Sequence, residues 1–246
     1  MRFPKHPIPI HTVFRRCFLV NFAVDPSELA SVLPAHIEPD VRDGEAYLSV
    51  VVGEMERLRP LGVPRLLGFT YDQIVYRAVV RCGDERGVHF LRSDADSRTM
   101  TILGNLMSFF RFHRSRVRFT ERGDELDLDV TTRSTPAAGI AATYTTGAAA
   151  DRLPATSVFA DLNDAKRFLV ELYAAFLYEP GSDSVDVVRI ERGEWNIRIV
   201  DDRRARYDFM TAGAPFTSAR LDSVFWVGDV PYRWHRLQRK PIAPSG

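Results

Sequence analysis

The sequence predicts an α+β fold: a curved antiparallel sheet or barrel with two main helices packed on it. Three observations carry this expectation. Residues 45–57 and 70–82 are long runs with Val, Ile and Tyr on both faces, the pattern of strands buried on both sides. Residues 114–131 read as a hairpin with one apolar and one charged face. Two segments, 98–110 and 161–178, carry long apolar stripes at helical spacing. Strands outnumber helices and hairpins outnumber crossovers, which points to α+β rather than to alternating βα units.

Composition bounds the function. The chain has 246 residues, 45% hydrophobic and 26% charged, an ordinary globular balance. A chain of this length buries about 70–75% of its unfolded surface, enough for one sizeable core. We expect a single domain over residues 1–246. A net charge of +1 gives no strong overall field toward nucleic acid or acidic membranes. Lys5, Lys166 and Lys240 are the only lysines, so arginine dominates the 33 basic residues. Guanidinium suits bidentate contacts with carboxylate or phosphate, although GC-rich codon usage explains the same bias. Cys17 and Cys82 form neither a metal-type pair nor a disulfide scaffold. No run approaches a membrane span. Phe14-Arg15-Arg16-Cys17-Phe18-Leu19 resembles a twin-arginine signal, but its apolar run stops after Val24 at Asp25-Pro26, so we read a strand there and a cytoplasmic protein.

The elements follow in order. Asp25-Pro26-Ser27-Glu28 opens a short helix, with Asp as N-cap and Pro in the first turn, ending near Pro34. Strands at 45–57 and 70–82 continue into 86–92. The helix at 98–110 aligns Met100, Leu103, Leu106, Met107 and Phe110, a stripe we assign to core. The hairpin turns at Arg122-Gly123, which would pair Phe119 with Leu126 and Val117 with Leu128. It would also pair Arg118 with Asp127 and Arg116 with Asp129, so this arginine run is a solvated, charge-matched face and not a nucleic-acid patch. The helix at 161–178 starts at Asp161 or Asn163 and stops at Pro180-Gly181. Short strands follow around 185–191, 195–200 and 223–228. The basic, aromatic stretch 231–240 reads as a final strand; contact with an anionic partner is the alternative.

The stretch Phe90-Leu-Arg-Ser-Asp-Ala-Asp-Ser-Arg-Thr-Met100 needs an explanation. A calcium loop fails, because Thr99 and Asn105 stand where Gly and Glu are required. A phosphoryl-transfer Asp-x-Asp-x-Thr site fails because Arg98 replaces the hydroxyl. Locally, Asp94, Asp96 or Ser97 can cap the following helix. Arg98 sits at the wrong end of that helix's dipole, so it calls for a partner, either an Asp or an anionic ligand. There is no phosphate-cradling loop, GxGxxG, HExxH or GxSxG, and the six histidines lack metal spacing.

Several stretches together resemble the YqjF-like family, uncharacterised bacterial proteins related to acetoacetate decarboxylases. Leu19–Pro34 and Asp43–Val51 resemble its opening. Tyr71–Arg77 is similar to its Phe-Pro-Glu-x-x-x-Arg strand, and Val88–Arg98 to its Tyr-Phe-Phe-Ser-Leu-Asp-Ala-Asp/Ala-Ser-Arg signature. Phe168–Tyr173 and Glu194-Trp195 also fit, so the resemblance covers about residues 17–200. It implies an acetoacetate decarboxylase-like fold, a cone-shaped antiparallel barrel with external helices and an internal small-molecule pocket. In such decarboxylases a lysine after the helix forms a Schiff base. Here the matching stretch is Arg111-Phe112-His113, so Phe112 takes the nucleophile's place and Gln73 that of the barrel-strand glutamate.

These readings give a small-molecule-binding barrel for an organic acid or similar metabolite. The candidate ligand-binding residues are Arg77, Arg98, Gln73, Arg133, His89, Trp195 and Tyr71. The alternative is an enzyme without a covalent lysine, with His113 or Asp96 as acid–base group. If both His89 and His113 lie outside the cavity, that alternative loses its best candidates. A third reading is a structural or partner-binding module. We expect no cofactor, no metal, no nucleic acid and no membrane partner, and leave a homo-oligomer open.

Overall fold

The computed structural model describes residues 8–108, 110–133, 137–150, 152–213 and 216–242. Among them, twelve strands form one curved sheet. In chain order these are β1 (Ile10–Val24), β2 (Glu38–Pro39), β3 (Ala46–Pro60), β4 (Phe69–Cys82), β5 (Glu85–Ala95), β6 (Phe112–Arg122), β7 (Glu125–Thr132), β8 (Ile140–Ala150), β9 (Ala174–Leu177), β10 (Ser184–Arg192), β11 (Arg198–Tyr207) and β12 (Arg220–Pro241). The main helices are α1 (Pro26–Val32), α2 (Arg98–Met107) and α3 (Leu162–Ala165), the last continuing as a π-helical turn, Lys166–Val170. The strand over Phe14–Leu19 and the Asp25 cap of α1, whose carboxylate accepts from Ser27 N at 2.7 Å, match the sequence reading.

The five strands β5, β4, β3, β1 and β12 pair antiparallel in that order. From this central sheet the pairings curl back twice: through β9 and β10 on one route, and through β6, β7, β8 and β11 on the other. Only the contacts of β5 with β6 and with β9 are parallel. Successive side chains on a strand point to opposite faces, so the central strands feed two cores. Cys17, Leu19, Tyr47, Val51, Tyr71 and Val75 join one, and Phe18, Val20, Leu48, Val50, Ile74 and Tyr76 join the other. That double burial is why these strands read as apolar on both faces.

Three expectations need correction. The predicted helix at 161–178 ends at Val170. Glu171, at φ −77 and ψ 59, lets Leu172 N bond back to Val170 O at 2.7 Å, a tight turn that breaks the helix. Residues 174–177 become β9, which pairs with β10 and β5; a helix there would leave the edge of β10 unpaired. The carbonyls this break exposes are taken by arginines: Arg77 donates to Leu169 O at 3.0 Å, and Arg192 donates to Val170 O.

The hairpin turns at Gly123-Asp124, two residues off the predicted register. Arg122 pairs with Glu125, Phe119 with Leu128 and Val117 with Val130. Gly123, at φ +61, takes the first central position of the turn. A shift of two keeps each side chain on its face. Arg118 therefore stands opposite Asp129, and Arg116 opposite Thr131 rather than a carboxylate. The strands expected at 195–200 and 223–228 are the longer β11 and β12, and Trp195 lies in the connection before β11.

Candidate functional site

A cavity of about 140 Å³ opens between the ends of β3 and β4, helix α2 and β12. Strand β3 supplies Met55, Leu58 and Arg59, β4 supplies Phe69, Tyr71 and Gln73, and α2 supplies Met100, Leu103, Gly104 and Met107. Phe110, Phe112 and Trp234 close it. An apolar cavity of closely similar size is large enough for benzene. The walls are almost wholly apolar, and among the described residues the polar side-chain groups at the lining belong to Arg59, Tyr71, Gln73, Ser108 and the indole of Trp234.

Each wall is held from the sequence upward. Tyr71 and Gln73 alternate on one face of β4, and the Tyr71 hydroxyl donates to Gln73 Oε1 at 2.6 Å. Burial, reinforced by Asp96, pushes the Tyr71 phenol well above its usual range, so it stays protonated and remains a donor. With Oε1 taken, the Gln73 amide nitrogen bonds to no protein group among the described residues and can meet a ligand. Helix α2 starts where Ser97 Oγ accepts from Met100 N at 3.2 Å, so Ser97 is the cap among the three predicted acceptors. Asn105 on α2 fixes Phe112 by two bonds: its Nδ2 donates to Phe112 O at 2.8 Å, and its Oδ1 accepts from Phe112 N at 2.6 Å. Gly104 lets the helix approach closely, since a Cβ there would lie 2.5 Å from the Phe112 ring.

Of the candidate ligand-binding residues, Tyr71 and Gln73 line this cavity. Phe112, the position matched to the Schiff-base lysine, lines it too. Arg98 is exposed, and among the described residues it has no ion pair. Asp94 is held instead by Arg92, at 2.6 and 2.9 Å, in a pair whose side chains are 1–2% exposed. Asp96 accepts from Asp72 N at 2.9 Å. Arg133 is exposed. Arg77 is buried as the cap of Leu169 O; burial lowers its guanidinium pKa to about 10, and it remains charged at neutral pH. Trp195 is buried against Phe14 and beneath the Arg192 guanidinium. His89 and His113 both lie outside the cavity lining. His89 Nδ1 contacts Phe176 O at 2.9 Å, and burial lowers its pKa. His113 is lowered first by burial and then by Arg92.

Sequence reasoning missed Arg59, Met55 and Trp234, which come from strands distant in the chain, and it assigned the α2 stripe to core although Met100, Leu103 and Met107 line the cavity. Among the described residues, no group of three or more His, Cys, Asp or Glu side chains could hold a metal ion. Among the described residues, no helix is long and apolar enough to cross a membrane.

The fold is that of acetoacetate decarboxylase-like proteins. An acetoacetate decarboxylase-like enzyme from Sphingomonas wittichii RW1 superposes with a TM-score of 0.62 at 13% identity, covering 97% of this chain and 95% of that one. Acetoacetate decarboxylase from Legionella pneumophila gives 0.66 at 13% identity, covering 96% and 88%. The enduracididine biosynthesis enzyme MppR, complexed with pyruvate, gives 0.61 at 13% identity, covering 95% and 90%. No curated protein matches the sequence. A family model described as an uncharacterized conserved protein, DUF2071, matches residues 11–231, and the chain belongs to this family.

Proposed function

We propose that this protein binds a small organic acid or related carbonyl compound, non-covalently, in the cavity between β4 and α2. The carrying observation is Gln73: its oxygen is engaged by Tyr71, so its amide N–H groups are left to donate to a ligand oxygen inside an apolar enclosure. One oriented donor in an apolar cavity gives specificity, and the surrounding apolar area gives affinity. The MppR complex with pyruvate is consistent with a small carbonyl ligand in this fold.

Imine catalysis is disfavoured because Phe112 and Gln73 stand where the resemblance requires a lysine and a glutamate. The enzyme alternative without a covalent lysine is weakened because His89, His113 and Asp96 do not line the cavity. A thermal-shift screen of short carboxylates, 2-oxo acids and aldehydes tests the reading. A ligand at 100 times its Kd stabilises by about 2.7 kcal/mol, or roughly 5–10 °C for a chain of this size. At the same ligand concentration Gln73→Leu should cut the shift by about half or more, as a loss of at least tenfold in affinity requires. Borohydride treatment with a 2-oxo acid or aldehyde should leave the protein mass unchanged; a trapped adduct would reinstate imine chemistry.

A further inference from the structure

Beside the cavity runs a second hollow, about 370 Å³, between β1, β3, β10 and β12. Arg59 lines both. Among the described residues, four more arginines line the hollow, Arg57, Arg65, Arg192 and Arg233, against one carboxylate, Glu191. The charge is not matched locally. Glu191 is shared by Arg233 at 2.9 Å and His235 at 3.1 Å, and Glu56, which does not line the hollow, is shared by Arg15, Arg57 and Arg65. The hydrogen bond from Arg59 is to the Arg57 carbonyl, at 3.0 Å, not to a carboxylate. Two buried nitrogens here, His11 Nε2 and Arg233 Nε, have no hydrogen-bond partner among the described residues. Clustered guanidinium groups repel one another unless an anion sits among them, and their planar forks match phosphate oxygens.

We infer that this groove is a phosphate subsite continuous with the apolar cavity through Arg59, so that the ligand is a phosphorylated small molecule whose apolar body enters the cavity. The inference rests on the cavity reading and names a second group on its ligand. A monocarboxylate needs one guanidinium; a dianion uses several, which is what the excess of arginine over carboxylate supplies.

The test is calorimetric titration with phenyl phosphate, phenol and inorganic phosphate. Phenol probes the cavity alone and inorganic phosphate the groove alone. Phenyl phosphate should bind at least tenfold more tightly than either. The double substitution Arg65→Gln/Arg233→Gln changes side chains that are 60% and 37% exposed. It should remove the gain and leave phenol binding as in the wild type. Independently of any variant, sodium chloride should weaken phenyl phosphate binding and not phenol binding. Phenol binding with no gain from the phosphate overturns the subsite and leaves the cavity reading intact. Inorganic phosphate bound without phenol or phenyl phosphate overturns both the cavity reading and the continuity. A gain that survives both the double substitution and high salt overturns the assignment to these arginines.

Discussion

Tyr71 and Gln73 sit two residues apart on β4 with the phenol donating to the amide oxygen at 2.6 Å, and both side chains line the same cavity. The bond fixes which end of the amide is presented. Tyr71→Phe removes this constraint and leaves a buried oxygen without its donor, at a cost of about 1–3 kcal/mol in stability. Ligand affinity should fall about tenfold, because one modest hydrogen bond is worth about that factor. Titration of a ligand found in the thermal-shift screen measures it.

Arg92 and Asp94 form the buried ion pair of β5, and Asp94 depends on it for its charge compensation. Arg92→Met leaves a buried carboxylate without its guanidinium and should cost about 3–5 kcal/mol in urea unfolding. Arg92→Met/Asp94→Leu should recover much of that loss. Arg98→Ala, by contrast, should stay within about 0.5 kcal/mol of wild type, because Arg98 is exposed and has no ion pair among the described residues.

Asp72 titrates unusually. Burial, then the neighbouring Asp96 and Glu54 carboxylates, raise it to about 7. The folded state therefore holds a proton that the unfolded state releases at the ordinary carboxylate pKa. Stability contributed by that proton is full at acid pH and is lost as pH rises toward about 7. After discounting for partial exposure, the loss should be about 1–2 kcal/mol. Asp72→Asn should flatten this part of the pH–stability curve, as followed by denaturant unfolding between pH 4.5 and 8.

Gly104 marks the closest approach of α2 to the cavity wall. Gly104→Ala forces a methyl group against the Phe112 ring and the Met100 methyl, with Cβ contacts of 2.5 and 2.9 Å. Overpacking of this kind costs about 1–3 kcal/mol. The helix or the ring must shift, so both melting temperature and ligand affinity should fall.

Much of the fold is legible in the sequence for a physical reason. β3 and β4 bury both faces, so their Val, Ile and Tyr runs are long and uninterrupted. The start of α2 is legible because a helix needs an acceptor where Ser97 stands. The stretch 161–178 misleads because Leu172, Tyr173, Phe176 and Leu177 satisfy helical spacing while the neighbouring strand edges demand β9. The hairpin register slips by two because either Arg122-Gly123 or Gly123-Asp124 can form its turn, and both keep the apolar face intact. In the site, Tyr71 and Gln73 are legible through their place on β4. Arg59 and Trp234 are not, because only the pairing of β1 with β3 on one side and with β12 on the other brings them to the same cavity. Arg92 is overlooked for Arg98 because strand alternation, not sequence adjacency, puts Arg92 beside Asp94.

The most direct test of the central claim is calorimetric titration of the strongest short carboxylate or carbonyl ligand from the thermal-shift screen into wild type and Gln73→Leu. The account predicts one saturable site in the wild type, no covalent adduct after borohydride, and a loss of at least tenfold in affinity in the variant. Binding unchanged by Gln73→Leu, or a trapped imine on Lys166 or Lys240, would contradict it.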